Sequence, residues 1–199
     1  MGNKLSRSEA RRKKSGEAKE AISTRLGLTI PLQKRLRIKV SDPDPAPDKR
    51  CCWDLHIIAL YGRQSLLATH CASRYTFILF DLSSFDWRDI QGTFIRGLKE
   101  SLSGQGFPEK LIRAYLDRAG EPRLTKTHGR WEVAFMNRAW EDALAADYAV
   151  NRQSQSQPLL DSYINDLPRR RAGDPGLGPS LERLRWELEN QIESSDLFR

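Results

Sequence analysis

Hydrophobic residues along this chain change period several times, and each change predicts an element. From Trp53 to Tyr61, Gln64 to His70 and Tyr75 to Phe80, aliphatic and aromatic residues dominate short runs. Gly62-Arg63 stands between the first two as a hairpin turn, so three antiparallel strands are expected. The period then lengthens. Ile90, Phe94, Leu98 and Leu102 recur every four residues, which is the buried stripe of a helix that Gly104 and Gly106 end. Pro108 opens a second helix with Leu111, Ile112, Tyr115 and Leu116 on its face. Pro122 to Thr127 reads as one more strand. Met136, Trp140, Leu144 and Tyr148 predict a third helix on a single face.

The flanks read differently. Lys34 to Val40 alternates Leu36, Ile38 and Val40 with Arg35, Arg37 and Lys39, the pattern of a strand with one basic, wet face. Asp42 to Asp48 has a proline at every second position and reads as a stiff linker. Asn151 to Gln157 is Gln/Ser-rich and is expected to be mobile. Gly173 to Pro179 breaks regular structure. Leu181, Leu184, Leu188 and Ile192 form the stripe of a last amphipathic helix, with Trp186 off the stripe and expected to be exposed. The expected fold is α+β: an antiparallel sheet of about four strands, three helices packed on one face, and the C-terminal helix. The expected organisation is a largely disordered leader over 1–33, a domain over 34–150 with the Pro-rich linker inside it, a polar Gly/Pro linker over 151–179 and a helix over 180–199.

Charge changes the picture more than composition does. Within the first forty residues stand twelve Lys or Arg and three Glu, a net of +9, whereas the whole chain of 199 residues is +7. The rest of the chain is therefore slightly acidic. Clustered positive charge attracts phosphate. Arg7, Arg11, Arg12, Lys13, Lys14 and Lys19, extended by Arg35, Arg37 and Lys39, form a candidate anion-binding surface that would grip nucleic acid with little sequence preference. Three cysteines do not make a disulfide framework, and no run approaches the roughly 20 apolar residues of a membrane span, so a cytoplasmic protein is expected. Met1-Gly2-Asn3-Lys4-Leu5-Ser6 fits an acylation pattern at Gly2, and the basic run behind it would supply a second membrane signal.

Trp53 with its strand, Gly106-Phe107-Pro108-Glu109, and Thr127, Arg130, Met136 and Asn137 stand in an order and spacing that resemble an uncharacterised bacterial domain-of-unknown-function family, over roughly residues 53–145. The resemblance implies a bacterial domain and no activity. Similar members have a small polar residue in place of Trp131, glycine in place of Ala134, an acidic residue in place of Arg138 and asparagine in place of His56.

Candidate chemistry is sparse. Thr127, Arg130 and Asn137 are polar groups near a strand-to-helix junction, where backbone N–H groups and an arginine can meet an anion. Cys52, His56, His70 and Cys71 are zinc-type ligands, but without a C-x-x-C pair, and the hairpin register decides whether they converge. Cys71 or Cys52 with His128 would make a nucleophilic pair, although no sequence feature brings them together. No cofactor is expected. The C-terminal stripe packs on its own body or docks on a partner protein. The leading reading is a non-enzymatic interaction or regulatory protein with a nucleic-acid-binding arm. The alternatives are a membrane-surface protein acylated at Gly2, and an enzyme acting on a phosphate-containing substrate.

Overall fold

The computed structural model describes residues 23–43, 45, 47–171 and 174–196. Gly2 and the basic residues Arg7, Arg11, Arg12, Lys13, Lys14 and Lys19 lie outside them. The fold is α+β, with a mixed five-stranded sheet and seven helices among the described residues. In chain order the elements are β1 (Arg25–Leu28), α1 (Ile30–Leu36), β2 (Cys52–Leu60), β3 (Arg63–His70), β4 (Thr76–Leu79), α2 (Ser84–Arg88), α3 (Ile90–Gly104), α4 (Glu109–Ala119), β5 (Arg123–Lys126), α5 (Arg130–Ala145), α6 (Pro158–Asp166), β6 (Arg169–Arg171), β7 (Asp174–Gly178) and α7 (Ser180–Asp196).

The sheet runs β4-β3-β2-β1-β5. The three strands of the central meander are antiparallel, as their alternation predicts. Their hairpin turns at Tyr61-Gly62, one residue earlier than expected. Tyr61 and Gly62 both have positive φ (48° and 71°), the geometry that matches the twist of the flanking strands. β1 was not expected at all. It lies between β2 and β5, parallel to both, so the sheet is mixed rather than antiparallel. Residues 25–33, assigned from composition to a disordered leader, are therefore part of the domain. A four-residue strand with only two apolar side chains on its buried face is too short to show a period, but β2 and β5 supply its hydrogen bonds from both sides.

The strand expected over Lys34–Val40 is absent: residues 34–36 end helix α1, Arg37 caps it, and residues 38–40 are irregular. Pro31 sits in its first turn, Leu32 and Leu36 share one face, and Arg37 in the left-handed region (φ 57°) closes it.

Helices cover both faces of the sheet, not one. On the first face Leu26, Leu28, Trp53, Leu55, Leu66, Ala68 and Phe77 meet Phe94, Leu98 and Leu102 of α3, Leu111, Ile112 and Tyr115 of α4, and Leu184 and Leu188 of α7. On the second face Ile58, Leu60, Leu67, Ile78 and Phe80 meet Met136, Ala139 and Ala143 of α5 and Leu160 and Ile164 of α6. The stripe of α5 is thus Met136, Ala139 and Ala143. Leu144 is exposed because steps of four residues advance the stripe by about 40° each around a helix, and Tyr148 is exposed in a 3-10 turn beyond the end of α5. The α7 leucines pack on their own chain, against α4 and α6, and Trp186 is exposed.

The Gln/Ser-rich stretch after Val150 is ordered by one side chain. Buried Gln157 accepts from Asn151 N–H (2.7 Å) and donates to the carbonyls of Asn151 (2.9 Å) and Ser154 (2.6 Å). Beyond it, α6 closes the free edge of β4 with side chains. Asn165 accepts from Thr76 N–H (2.8 Å) and donates to Thr76 C=O (2.6 Å), imitating one rung of a strand ladder. Asp161 accepts from Ile78 N–H (2.9 Å). Asn165→Leu is expected to lower the unfolding free energy by about 2–3 kcal/mol, because two backbone groups lose their partners in a dry place. A urea melt checks this; an unchanged midpoint would show that water reaches the edge.

Candidate functional site

Each of the three motif pieces behind the family resemblance puts one large apolar side chain in the core. Trp53 is fully buried, ringed by Phe77 (5.7 Å) and Phe94 (5.4 Å), and its indole N–H donates to the Tyr115 hydroxyl (3.0 Å). Gly106 takes φ 74° to end α3, Phe107 is buried, and Pro108 caps α4. Met136 is fully buried in the second core cluster. These positions hold the fold.

The polar trio does not converge. Arg130 and Asn137 are exposed on α5, seven residues or about 10 Å apart along its axis, and Arg130 lies over the Trp131 ring (5.7 Å). The four zinc-type residues do not converge either. His56 pairs with Leu67, not with Thr69 or His70, and its Nδ1 meets Thr29 Oγ1 (2.9 Å) on the second face of the sheet. His70 lies on the first face beside Trp53, with its ring nitrogens at Ser73 Oγ (2.8 Å) and Arg50 C=O (3.0 Å). Cys52 donates to Asp48 C=O (3.2 Å), and burial pushes its thiol up to about 12.

Cys71 has different company. Asp54 of β2, Cys71 after β3 and His128 after β5 place Oδ1, Sγ and Nδ1 within 4.8 Å of one another. Nδ1 of His128 is 2.6 Å from Asp54 Oδ1, and the His128 backbone N–H also donates to that carboxylate (3.2 Å). Cys71 Sγ is 3.6 Å from the same Nδ1. The side chains of His128 and Asp54 are 0 % and 1 % exposed, and Cys71 is fully buried. Burial pushes the Asp54 carboxyl above its ordinary value, although the hydrogen bond from His128 opposes it. Burial also pushes the Cys71 thiol well above its ordinary range.

Gly27 makes this contact feasible. A Cβ there would lie 1.9 Å from Asp54 Oδ1, 2.8 Å from Thr127 Cα and 2.9 Å from His128 Nδ1. Next to the cluster, Glu132 at the start of α5 bonds Lys49 (2.8 Å) and Arg74 (3.3 Å). Its burial raises the carboxyl, but the Lys49 hydrogen bond and both cations outweigh that and hold it below the ordinary range.

The cluster is not a thiol–imidazole–carboxylate relay. Such a relay places nucleophile and carboxylate on opposite ring nitrogens. Here both sit at Nδ1, while Nε2 is buried with no hydrogen-bond partner among the described residues. A thiol with a raised pKa is also a poor nucleophile. The sequence named Cys71 with His128 but missed Asp54, and Gly27, in an otherwise apolar run, was the one available hint of a close approach.

A second feature is open to solvent. Arg35 and Arg37 at the end of α1, with Arg88 of α2, line a cleft of ≈ 490 Å³ whose floor includes Leu36, Trp87, Ile90 and Leu124. Arg35 bonds Gln64 (2.8 Å) and lies over the Trp87 ring (5.4 Å). Among the described residues, none of the three arginines has a carboxylate partner. Lys39 is exposed on the same segment but does not line the cleft. Through Gln91 and Leu124 the cleft adjoins a second one of ≈ 520 Å³, lined by Ser23, Gly120, Glu121, Pro122 and Arg123. Ser23 is where the basic N-terminal segment joins the described structure.

With fold and sites in place, the family is clear. A model of a domain of unknown function (DUF6933) matches residues 25–177, most of the chain, and the protein belongs to that family. The match begins at β1, in agreement with the strand's place inside the sheet. Comparison with curated proteins finds no match. No helix among the described residues is long and apolar enough to cross a membrane.

Proposed function

We propose that this protein binds nucleic acid electrostatically and without catalysis, using the Arg35–Arg37–Arg88 cleft together with the basic segment before Ser23. The observation that carries the reading is the cleft itself: three guanidinium groups, no carboxylate among its lining residues, and an apolar floor. Guanidinium groups pair bidentately with phosphate, and an apolar floor suits bases or sugars beside it. The adjoining cleft, which Ser23 lines, shares Gln91 and Leu124 with this one, and in this reading one polyanion spans both and meets arm and arginines together.

The test measures affinity for unrelated duplex DNA and single-stranded RNA as salt is varied. It uses the full chain, since cutting at Asp42 would remove β1 and α1 from the fold. One variant carries Arg35→Gln, Arg37→Gln and Arg88→Gln; another carries glutamine at Arg11, Arg12, Lys13 and Lys14. For duplex DNA, each lost phosphate contact should reduce the slope of log K against log salt by about 0.9. Unchanged slopes in both variants would end the proposal.

A further inference from the structure

The buried cluster offers a chemistry separate from the cleft. We propose that Asp54 Oδ1, Cys71 Sγ and His128 Nδ1 together form a site for one divalent transition-metal ion of the zinc or cobalt kind. The three ligand atoms lie within 4.8 Å of one another, come from three different elements and combine carboxylate, thiolate and imidazole. That mixture favours zinc and cobalt over magnesium or calcium, which select oxygen alone. Three protein ligands leave one tetrahedral position for a water molecule or another small donor.

Two features of the surroundings favour an ion. Gly27 lets Asp54 Oδ1 and His128 Nδ1 come against the β1 main chain, where a Cβ would crowd both (1.9 and 2.9 Å), so the absence of a side chain there is what allows the ligand atoms to meet. The His128 Nδ1 also meets both the carboxylate (2.6 Å) and the thiol (3.6 Å) in a dry place, where a single ring N–H cannot serve both. A cation coordinated by the carboxylate, the thiolate and Nδ1 would bind each of the three. On binding, the Cys71 thiol gives up its proton, and the ring proton sits on Nε2 while Nδ1 takes the ion. Metal-bound histidines are usually anchored through the other nitrogen, and loss of such an anchor costs about 10–100-fold in affinity. Nε2 has none among the described residues, so this site should bind more weakly than a closed four-ligand zinc site.

The test uses the full-length reduced protein with Co²⁺ alone, then Zn²⁺ alone. Wild type should bind one Co²⁺ with a thiolate-to-cobalt charge-transfer band in the near ultraviolet and visible bands of a four-coordinate ion, and Zn²⁺ should abolish both. Cys71→Ser should lose the charge-transfer band, Cys52→Ser should keep it, and His128→Gln should weaken binding by more than about 100-fold, beyond the cost of losing a mere supporting contact. X-ray absorption on the zinc-loaded wild type keeps the test independent of whether the variants fold. It should find one sulfur at about 2.3 Å with lighter atoms near 2.0 Å. No stoichiometric binding by wild type, a shell with no sulfur, or two sulfurs (as the Cys51-Cys52 pair would give) overturns the proposal. So does a charge-transfer band that survives Cys71→Ser.

Discussion

Gly27→Ala is expected to destabilise the protein by about 3 kcal/mol or more. The added Cβ would meet Asp54 Oδ1 at 1.9 Å and Thr127 Cα at 2.8 Å. Backbone at Thr127 cannot step aside without moving β5, which is bonded to β1 through that register. If Asp54 turns away instead, a buried carboxylate leaves its His128 partner. Overpacking costs about 1–3 kcal/mol, and leaving a buried carboxyl without its hydrogen-bond partner about 1–3 kcal/mol more. Gly62→Ala is the comparison. That glycine has φ 71° and nothing within 4 Å of its added Cβ, so only local backbone strain of about 1 kcal/mol applies. Denaturant melts of both variants decide the matter. A Gly27 variant as stable as the Gly62 variant would mean that the β1–β2–β5 packing is looser than the contacts require.

Stability should fall as pH rises from about 4 to 8, and Asp161 should be a principal cause. This carboxyl is fully buried between Ser101 and the Ile78 N–H, in a chain that runs on from Ser101 Oγ to the Tyr75 hydroxyl (2.7 Å). Burial pushes it up from 3.8 to about 8, against the two hydrogen bonds it accepts. Across that window the folded protein holds a proton that the unfolded chain has released. Its contribution is therefore complete below the unfolded value and is lost as pH climbs to the folded one, by up to about 1.4 kcal/mol per pH unit.

Asp161→Asn should remove this dependence. Its oxygen keeps the Ile78 bond, and its NH₂ replaces the acid proton toward Ser101. The difference between wild type and Asp161→Asn, measured by urea melts at pH 6, 7 and 8, isolates the group from the depressed carboxyls of Glu132 and Asp86, which act at acid pH. Wild type should lose ground to the asparagine variant at every step. A constant difference would mean that the carboxyl is already ionised in the fold. Asp161→Ala should be about 1–3 kcal/mol less stable than Asp161→Asn at any pH, because the Ile78 N–H is then left dry and unpaired.

Particular residues explain which features could be read in advance. The β2–β3–β4 meander was legible because each strand carries long apolar runs and a turn stands between the first two. Helices α3 and α4 were legible because Phe94, Leu98 and Leu102, then Leu111, Ile112 and Tyr115, repeat at helical spacing and meet one core. β1 was not, since Arg25-Leu26-Gly27-Leu28 is short and follows a basic segment that dominates its composition. The alternation in Lys34–Val40 pointed to a strand, but Leu32 and Leu36 pack in a helical register that Arg37 closes. Of the candidate residues, Cys71 and His128 were named, yet their meeting depends on strand order, which places β2 and β5 on either side of β1.

By itself, then, the sequence determined what periodicity and charge can encode: a central meander, helices that bury one stripe, a family membership, and a cationic front to an otherwise slightly acidic chain. Those properties are local, because a period or a charge cluster needs only neighbours along the chain. Tertiary structure alone decided the mixed sheet, the helices on both its faces, the side-chain closure of the β4 edge and the Asp54–Cys71–His128 cluster. Each of these joins residues tens of positions apart, and only hydrogen bonding between strands and the packing of dry surfaces bring such residues together.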